Sequence, residues 1–418
     1  MNNFTTNTYE MKREILNFSK KISEGVNKPT EKFVMDMEYG LAKSGSCLIS
    51  EISRALDEDI KLNYTIDRLC DNLVNMDEKE SNIIWNNYKK EIKKNIGEEA
   101  IVAFDDSDIN KEYSKKLEDL DKVIDASSQD KKIVNGYHVC EATIFSKKEK
   151  QPMSIYSKIY SCKSNSFKSK NEYTMESIKA AEEIVGEKFI GLFDRGYDDN
   201  KIIDQMSKHQ FVIRLDDERT LLFKDKKRKV GEVAKSRKGK IKMTALFDDN
   251  EEIELMISYT KAVLPYNKRE YTLVIVYGLS EEKPMKLLTN IKTAEKEEII
   301  KIVRLYLSRW RIEEHFRGKK QEYDFENIRV RTLKAMNNLN MLLTIHLGHI
   351  AMLAETIDKK LLTIKIICAS KSLRNKVIVW ISQIARGIKE ILKYAHEGIK
   401  KWQDIEQREQ YRQLQLKL

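Results

Sequence analysis

At 418 residues the chain exceeds the usual single-domain length, so two to four structural units are expected. Hydrophobic residues at 41%, charged residues at 34%, and only four prolines and 15 glycines exclude a long disordered or low-complexity protein. Lysine plus arginine total 76 against 66 acids, and the resulting +10 suits a polyanionic partner, although a basic protein without one has the same balance.

The five cysteines (Cys47, Cys70, Cys140, Cys162, Cys368) are scattered and odd in number, a usage that fits a reducing cytoplasm and argues against a zinc knuckle or disulfide framework. The opening MNNFTTNTYEMKREIL has no apolar signal core, and the most apolar run, from Met341 to Leu353, is too short for a membrane span and carries two histidines. A cytoplasmic protein with no membrane partner is the expectation.

Residues 1 to about 95 are predicted to be helical, because apolar positions recur at three- and four-residue spacing through LISEISRALDEDI and YTIDRLCDNLVNM. A small-residue joint at Ser44 to Ser46 resembles that of a DNA-reading helix-turn-helix; a plain helical bundle has the same pattern. From about residue 99 the period becomes that of strands: AIVAFDDSD, NGYHVCEATIF and MSIYSKIYS. Helix NEYTMESIKAAEEIV, strand FIGLFD, helix DDNKIIDQMSKH and strand QFVIRL follow, so the fold class read here is α/β, a mixed sheet flanked by helices. A β-rich insertion is predicted from about Asp216 to Lys292, and helices from about Ala294 to Leu418. The expected units are residues 1–95, 96–215, 216–293, 294–350 and 351–418: a helical DNA-binding region, the first part of a core, the insertion, the rest of the core, and a helical tail that could dimerise.

Two aspartates each follow an apolar strand. Asp105 opens DDSD after AIVAF, and Asp194 follows FIGLF, so both are expected at strand ends where ligands of open α/β sheets gather. Asp106 competes with Asp105, and a solvated acidic turn explains the first segment equally well. A calcium loop does not, because Lys111 stands where its glycine belongs and Leu117 where its bidentate glutamate belongs. Asp198 or Asp199 is expected to cap the helix after Asp194.

In LYLSRWRIEEHFRGKKQ, Tyr306, Arg309, Glu313 and Lys320 are spaced by three, four and seven, which places all four on one stripe of a single predicted helix. An ion-pair ladder on a surface helix has similar content. One acid among bases also suits a helix that binds a cation and the phosphate which that cation activates. Three carboxylates from strand, strand and helix meet the preference of Mg²⁺ for a few carboxylates plus water and phosphate.

The Tyr306–Arg309–Glu313–Lys320 spacing resembles the Y-R-E-K signature of DDE transposases of the insertion-sequence-four group, with Asp105-Asp106-Ser107 and Asp194-Arg195-Gly196 matching that family's two aspartate segments. Ser107 stands for the commoner threonine and Gly196 for the glutamate of some members. The resemblance spans about residues 99 to 325 and implies an RNase H-like core interrupted by the insertion. It also implies catalytic, metal-binding roles for Asp105, Asp194 and Glu313, phosphate-binding roles for Tyr306, Arg309 and Lys320, and two Mg²⁺ (or Mn²⁺) ions. The implied activity is cut-and-paste transposition through a hairpin, by a homodimer acting on terminal inverted repeats and target DNA. An inactive transposase-derived DNA-binding regulator and a structure-specific nuclease are the alternatives.

Weaker signals have plainer readings. The basic runs Lys224 to Lys229 and Lys235 to Lys242 fit DNA phosphates or a solvated hairpin. Tyr259, Tyr266 and Tyr271 fit base stacking or strand packing. His346 and His349 are expected to be satisfied core histidines, since no third ligand is near in sequence.

Overall fold

A computed structural model describes residues 2–125, 130, 132–186, 188–246, 252–280, 283–293, 295–371, 379–395, 398–399 and 402–403. Five helices come first: α1 (Asn2–Ile22), α2 (Lys28–Ser44), α3 (Ile49–Leu56), α4 (Leu62–Asn75) and α5 (Glu78–Lys93). Asn27 and Asp77 cap α2 and α5 by accepting the Thr30 and Glu80 N–H groups at 2.9 and 2.8 Å, contacts worth about 1 kcal/mol each. The expected joint after Ser44 is present: Gly45, at φ 60°, closes α2 by donating to Leu41.

The sheet region runs β1 (Ile101–Asn110), β2 (Asp121–Ile124), β3 (Ile133–Phe145), β4 (Pro152–Tyr160), α6 (Lys170–Val185), β5 (Ile190–Phe193), α7 (Asn200–Gln205) and β6 (Gln210–Arg214). Asp199 caps α7, its carboxylate accepting the Lys201 N–H at 2.7 Å. Strands β4, β3, β1, β5 and β6 are neighbours in that order, antiparallel among the first three and parallel from β1 to β6. This is the mixed sheet flanked by helices that the sequence predicts. β5 is buried at every position, as a parallel strand covered on both faces must be. β3 is long enough to pair β2 through residues 133–136 and β4 through residues 138–145.

The segment expected to hold an insertion contains β7 (Thr220–Phe223), β8 (Lys226–Lys229), α8 (Val230–Lys235), β9 (Ile241–Leu246), β10 (Glu252–Val263), β11 (Glu270–Tyr277) and β12 (Met285–Thr289). β12 pairs β6 directly, so these strands extend the core sheet instead of forming a second one, and the sheet has 12 strands among the described residues.

Helices α9 (Lys296–Leu307), α10 (Trp310–Arg317), α11 (Leu333–Ala354), α12 (Leu361–Ala369) and α13 (Ile381–Leu392) complete the chain; Ala294 and the tail beyond 403 lie outside the described residues. α11 is apolar almost all round and packs against β4 on one side and α2, α4 and α5 on the other. His346 in its middle is buried between the Tyr323 hydroxyl at 2.9 Å and Glu38 at 3.0 Å, a satisfied core histidine as expected. His349, also buried, stacks on Phe18 with ring centroids 4.0 Å apart, and its Nε2 stands 3.7 Å from Glu14. No helix of the described residues is long and apolar enough to cross a membrane.

Candidate active site

Register decides where the aspartates stand. Phe104 pairs Phe193 across the parallel β1–β5 ladder, so Asp105 and Asp194 are the next residues along these two neighbouring stretches of backbone. The two phenyl rings stack at 4.4 Å and 1° between planes, a contact worth about 0.5–1.5 kcal/mol beyond its buried area. Asp105 is not at a strand end, as its sequence suggested: β1 continues to Asn110 because β3 pairs with it that far. What ends at Phe193 is β5, and Asp105 emerges where its parallel partner stops.

The single helical stripe is also corrected. α9 ends at Leu307, a bend at Ser308 and Arg309 follows, and α10 gives way to a π-helical turn over Gly318–Glu322. Tyr306, Arg309 and Glu313 stay together because the bend keeps tight hydrogen bonds, Arg309 N–H to the Tyr306 carbonyl and Ile312 N–H to the Arg309 carbonyl, both 3.0 Å. Lys320 does not join them: the wider π turn carries it to Glu326, 3.1 Å away, where its charge acts on Asp108.

Arg309 is the centre of the set. Its Nη1 donates to Asp105 Oδ2 at 3.0 Å and its Nη2 to Glu313 Oε1 at 2.5 Å, while the Tyr306 hydroxyl donates to Asp194 Oδ1 at 3.1 Å. Arg214, on β6, stands 3.6 Å from the same Asp194 oxygen. Burial lifts the Asp105 carboxyl to about 7; Arg309 pulls against that rise, and Asp194, Glu313 and Asp106 add to it. Burial also pushes Asp194 up, but Arg309, the Arg195 backbone N–H, Arg214 and the Tyr306 hydroxyl outweigh it and hold that carboxyl below its ordinary value. Burial keeps the Tyr306 phenol protonated, hence a donor. Asp106, the competing ligand, faces the other side of the sheet beside Cys140 and Tyr197.

The donors of Asp105, Asp194 and Glu313 are all carboxylate oxygens, the hard set that Mg²⁺ or Mn²⁺ prefers. Their oxygens do not converge within 4.8 Å of one another. The Arg309 guanidinium lies between two of them and supplies the positive charge they share.

Beneath the site is a buried network that the sequence reading missed. Glu141 on β3, His315 on α10 and Lys319 in the π turn are all fully buried. Glu141 Oε2 accepts from Lys319 Nζ at 2.7 Å, His315 Nε2 lies 2.7 Å from Oε1, and Lys319 also reaches Ser157 and Asn340. Burial opposes the Glu141 charge, yet Lys319 and His315 hold its carboxyl far below the ordinary range. A lone glutamate inside the apolar run VCEATIF was the available signal, since a buried charge needs a partner.

Residues 100–347 match the family model for a transposase DDE domain. The chain belongs to that family. This DDE transposase-domain protein matches no curated protein. Among solved structures it is similar at 12% identity to the piggyBac transposase synaptic complex with hairpin DNA, with 94% of this chain and 79% of that one covered at a TM-score of 0.46. It is also similar at 12% identity to the NurA nuclease from Sulfolobus solfataricus, covering 72% and 99% at 0.27. The family to which the chain belongs acts in DNA transposition and implies metal-dependent nuclease chemistry.

Proposed function

We propose that the protein is the transposase of a bacterial-type insertion sequence, which cuts element ends and joins them to target DNA at Asp105, Asp194 and Glu313. The observation that carries this reading is the Arg309 fork, which reaches Asp105, 204 positions earlier in the sequence, together with Glu313, while Tyr306 of the same segment reaches Asp194. A surface ion-pair ladder would stay within its own helix and has no reason to reach two strand-borne aspartates.

On this reading the three carboxylates hold two divalent cations, Mg²⁺ or Mn²⁺. Bound there, the cations supply activation of the attacking oxygen and stabilisation of the leaving one. Arg309 releases the carboxylates and turns its planar fork to the terminal phosphate, Tyr306 donates from its hydroxyl, and Lys320 exchanges Glu326 for a phosphate oxygen. In the first step the P–O3′ bond at the element end breaks and water supplies the new oxygen. In the next, the freed hydroxyl attacks the opposite strand to close a hairpin, which is opened before strand transfer. Residues 1–95 bind the end DNA and residues 351–418 carry the homodimer contact.

The test is Mg²⁺-dependent cleavage of end DNA by Glu313→Ala. Cleavage should fall by more than the roughly 100-fold that loss of an outer-shell partner costs, with end binding retained; unchanged cleavage removes Glu313 from the mechanism. A strand-transfer assay separates a transposase, which joins, from a nuclease, which only cuts.

A further inference from the structure

On the outer edge of β3, β2 and β4 meet end to end, and three chemically different donors converge at the seam: Asp121 opening β2, His138 on β3, and Cys162 just after β4. One ligand atom of each lies within 4.8 Å of the other two, the only such trio among the described residues.

We propose that Asp121, His138 and Cys162 form a binding site for a borderline divalent ion of the Zn²⁺ class, with a fourth position open to water. A thiolate, an imidazole and a carboxylate suit that class and not Mg²⁺, which takes oxygen ligands. The donors are held before any ion arrives. Asp121 Oδ1 accepts the Lys122 N–H at 2.7 Å and Oδ2 the Cys162 N–H at 2.6 Å, tying the thiol-bearing loop to β2. Ser161 Oγ donates to the Asp119 carbonyl at 2.6 Å and Lys163 Nζ to that of Leu120 at 2.7 Å, which tightens the same seam. The His138 ring is oriented by stacking on Tyr160, with centroids 5.2 Å apart.

A plain loop cap accounts for the two backbone contacts of Asp121, but not for the imidazole. His138 Nε2 stands 3.9 Å from Asp121 Oδ2, too far for a hydrogen bond. With bonds of about 2.0–2.3 Å, two ligands on one tetrahedral ion stand roughly 3.3–3.8 Å apart, so the His138–Asp121 pair needs a contraction of about half an ångström, and no separation within the trio exceeds 4.8 Å. Cys162 is exposed, which leaves the fourth position to solvent. Binding forms a metal–sulfur bond, breaks S–H, and releases the thiol proton to water.

The site is separate from the carboxylate set of Asp105. His138 pairs Asp108, three positions along β1 from Asp105, and three positions in a strand reach the opposite face. An ion here would clamp β2 and β4 onto β3, whether or not the chain is an active transposase.

The test uses the metal-free full-length protein titrated with Co²⁺ in the presence of excess Mg²⁺. A thiolate-to-cobalt charge-transfer band should grow to one ion per chain, be displaced by Zn²⁺, vanish in Cys162→Ser, and need more than about tenfold more Co²⁺ in His138→Asn. No saturating band in the wild-type chain, or an undiminished band in Cys162→Ser, overturns the proposal. Because Cys162 is exposed, the serine variant should keep the wild-type melting temperature, which confirms that loss of the band reports on the site.

Discussion

Glu141 stands directly opposite Asp105 across the β1–β3 ladder, so the two carboxylates share one face of the sheet. Their surroundings divide them. Glu141 is sealed under α10 with Lys319 and His315, whereas Asp105 accepts from the Arg309 fork and from the Asp106 backbone N–H and lies beside the charges of Asp194 and Glu313. The buried acid anchors the segment that carries Glu313, and its neighbour is left to face a cation.

Lys319→Met removes the main partner of a fully buried carboxylate and should cost about 3–5 kcal/mol, because an uncompensated buried charge is left behind. Glu141→Gln combined with Lys319→Met should recover much of that loss, a coupling that urea midpoints in a double-mutant cycle would register. Additive losses would show that the pair is not an energetic unit.

Asp105 sets a pH dependence. Its carboxyl is raised from 3.8 to about 7 in the folded chain. The raised value favours the folded state fully below the unfolded pKa, and that advantage is lost as pH climbs through about 7. The metal-free protein should therefore lose stability between about pH 4 and 8 through this residue. Mg²⁺ affinity should run the other way, rising to about pH 7 and then levelling, since the ligand is the carboxylate. Asp105→Asn should flatten the stability trend in thermal melts; an unchanged slope assigns it to another group.

At Gly348 on α11, an added Cβ would fall 1.8 Å from the hydroxyl oxygen of Tyr88, which is fully buried. Alanine would gain about 1 kcal/mol of helix propensity. Overpacking costs roughly 1–3 kcal/mol, more where a contact is this close, so the clash should win. Gly348→Ala should lower the melting temperature; a rise would mean that Tyr88 yields freely.

The β8 residues Lys226, Lys227, Arg228 and Lys229 are all exposed, on a strand that closes one end of the sheet. If they lie along DNA phosphates, replacing Lys226, Lys227 and Arg228 by glutamine should reduce the slope of log affinity against log salt by about 3. An unchanged slope in end-DNA binding leaves the strand its other use, a charged edge that resists pairing with a second sheet.

The sequence made the carboxylate set visible because each aspartate followed an apolar run, and because Tyr306, Arg309 and Glu313 keep their spacing whether the helix is straight or bent. It did not reveal the bend at Ser308 and Arg309, since tight and regular helical turns need the same residues. Lys320 was misplaced for a related reason: a π turn shifts every later residue around the axis, and nothing in GKKQE announces it. β2, β7 and β8 were missed because they are short, and β8 is entirely charged, so no apolar alternation marks it. The continuity of the sheet through β12 was equally invisible, because alternation says which face is buried and not which strand lies alongside.

That continuity makes the strands after β6 an excursion that departs and returns at one point. β12 runs back along β6 with Leu287 opposite Arg214, and the Leu215 N–H donates to the Lys286 carbonyl at 2.8 Å. Between those two neighbours the chain can lengthen, shorten or be exchanged for a tight hairpin while the five central strands keep their register. The excursion is therefore a place where such a chain has room to differ in whatever it grips, while Arg214 at its root still reaches Asp194.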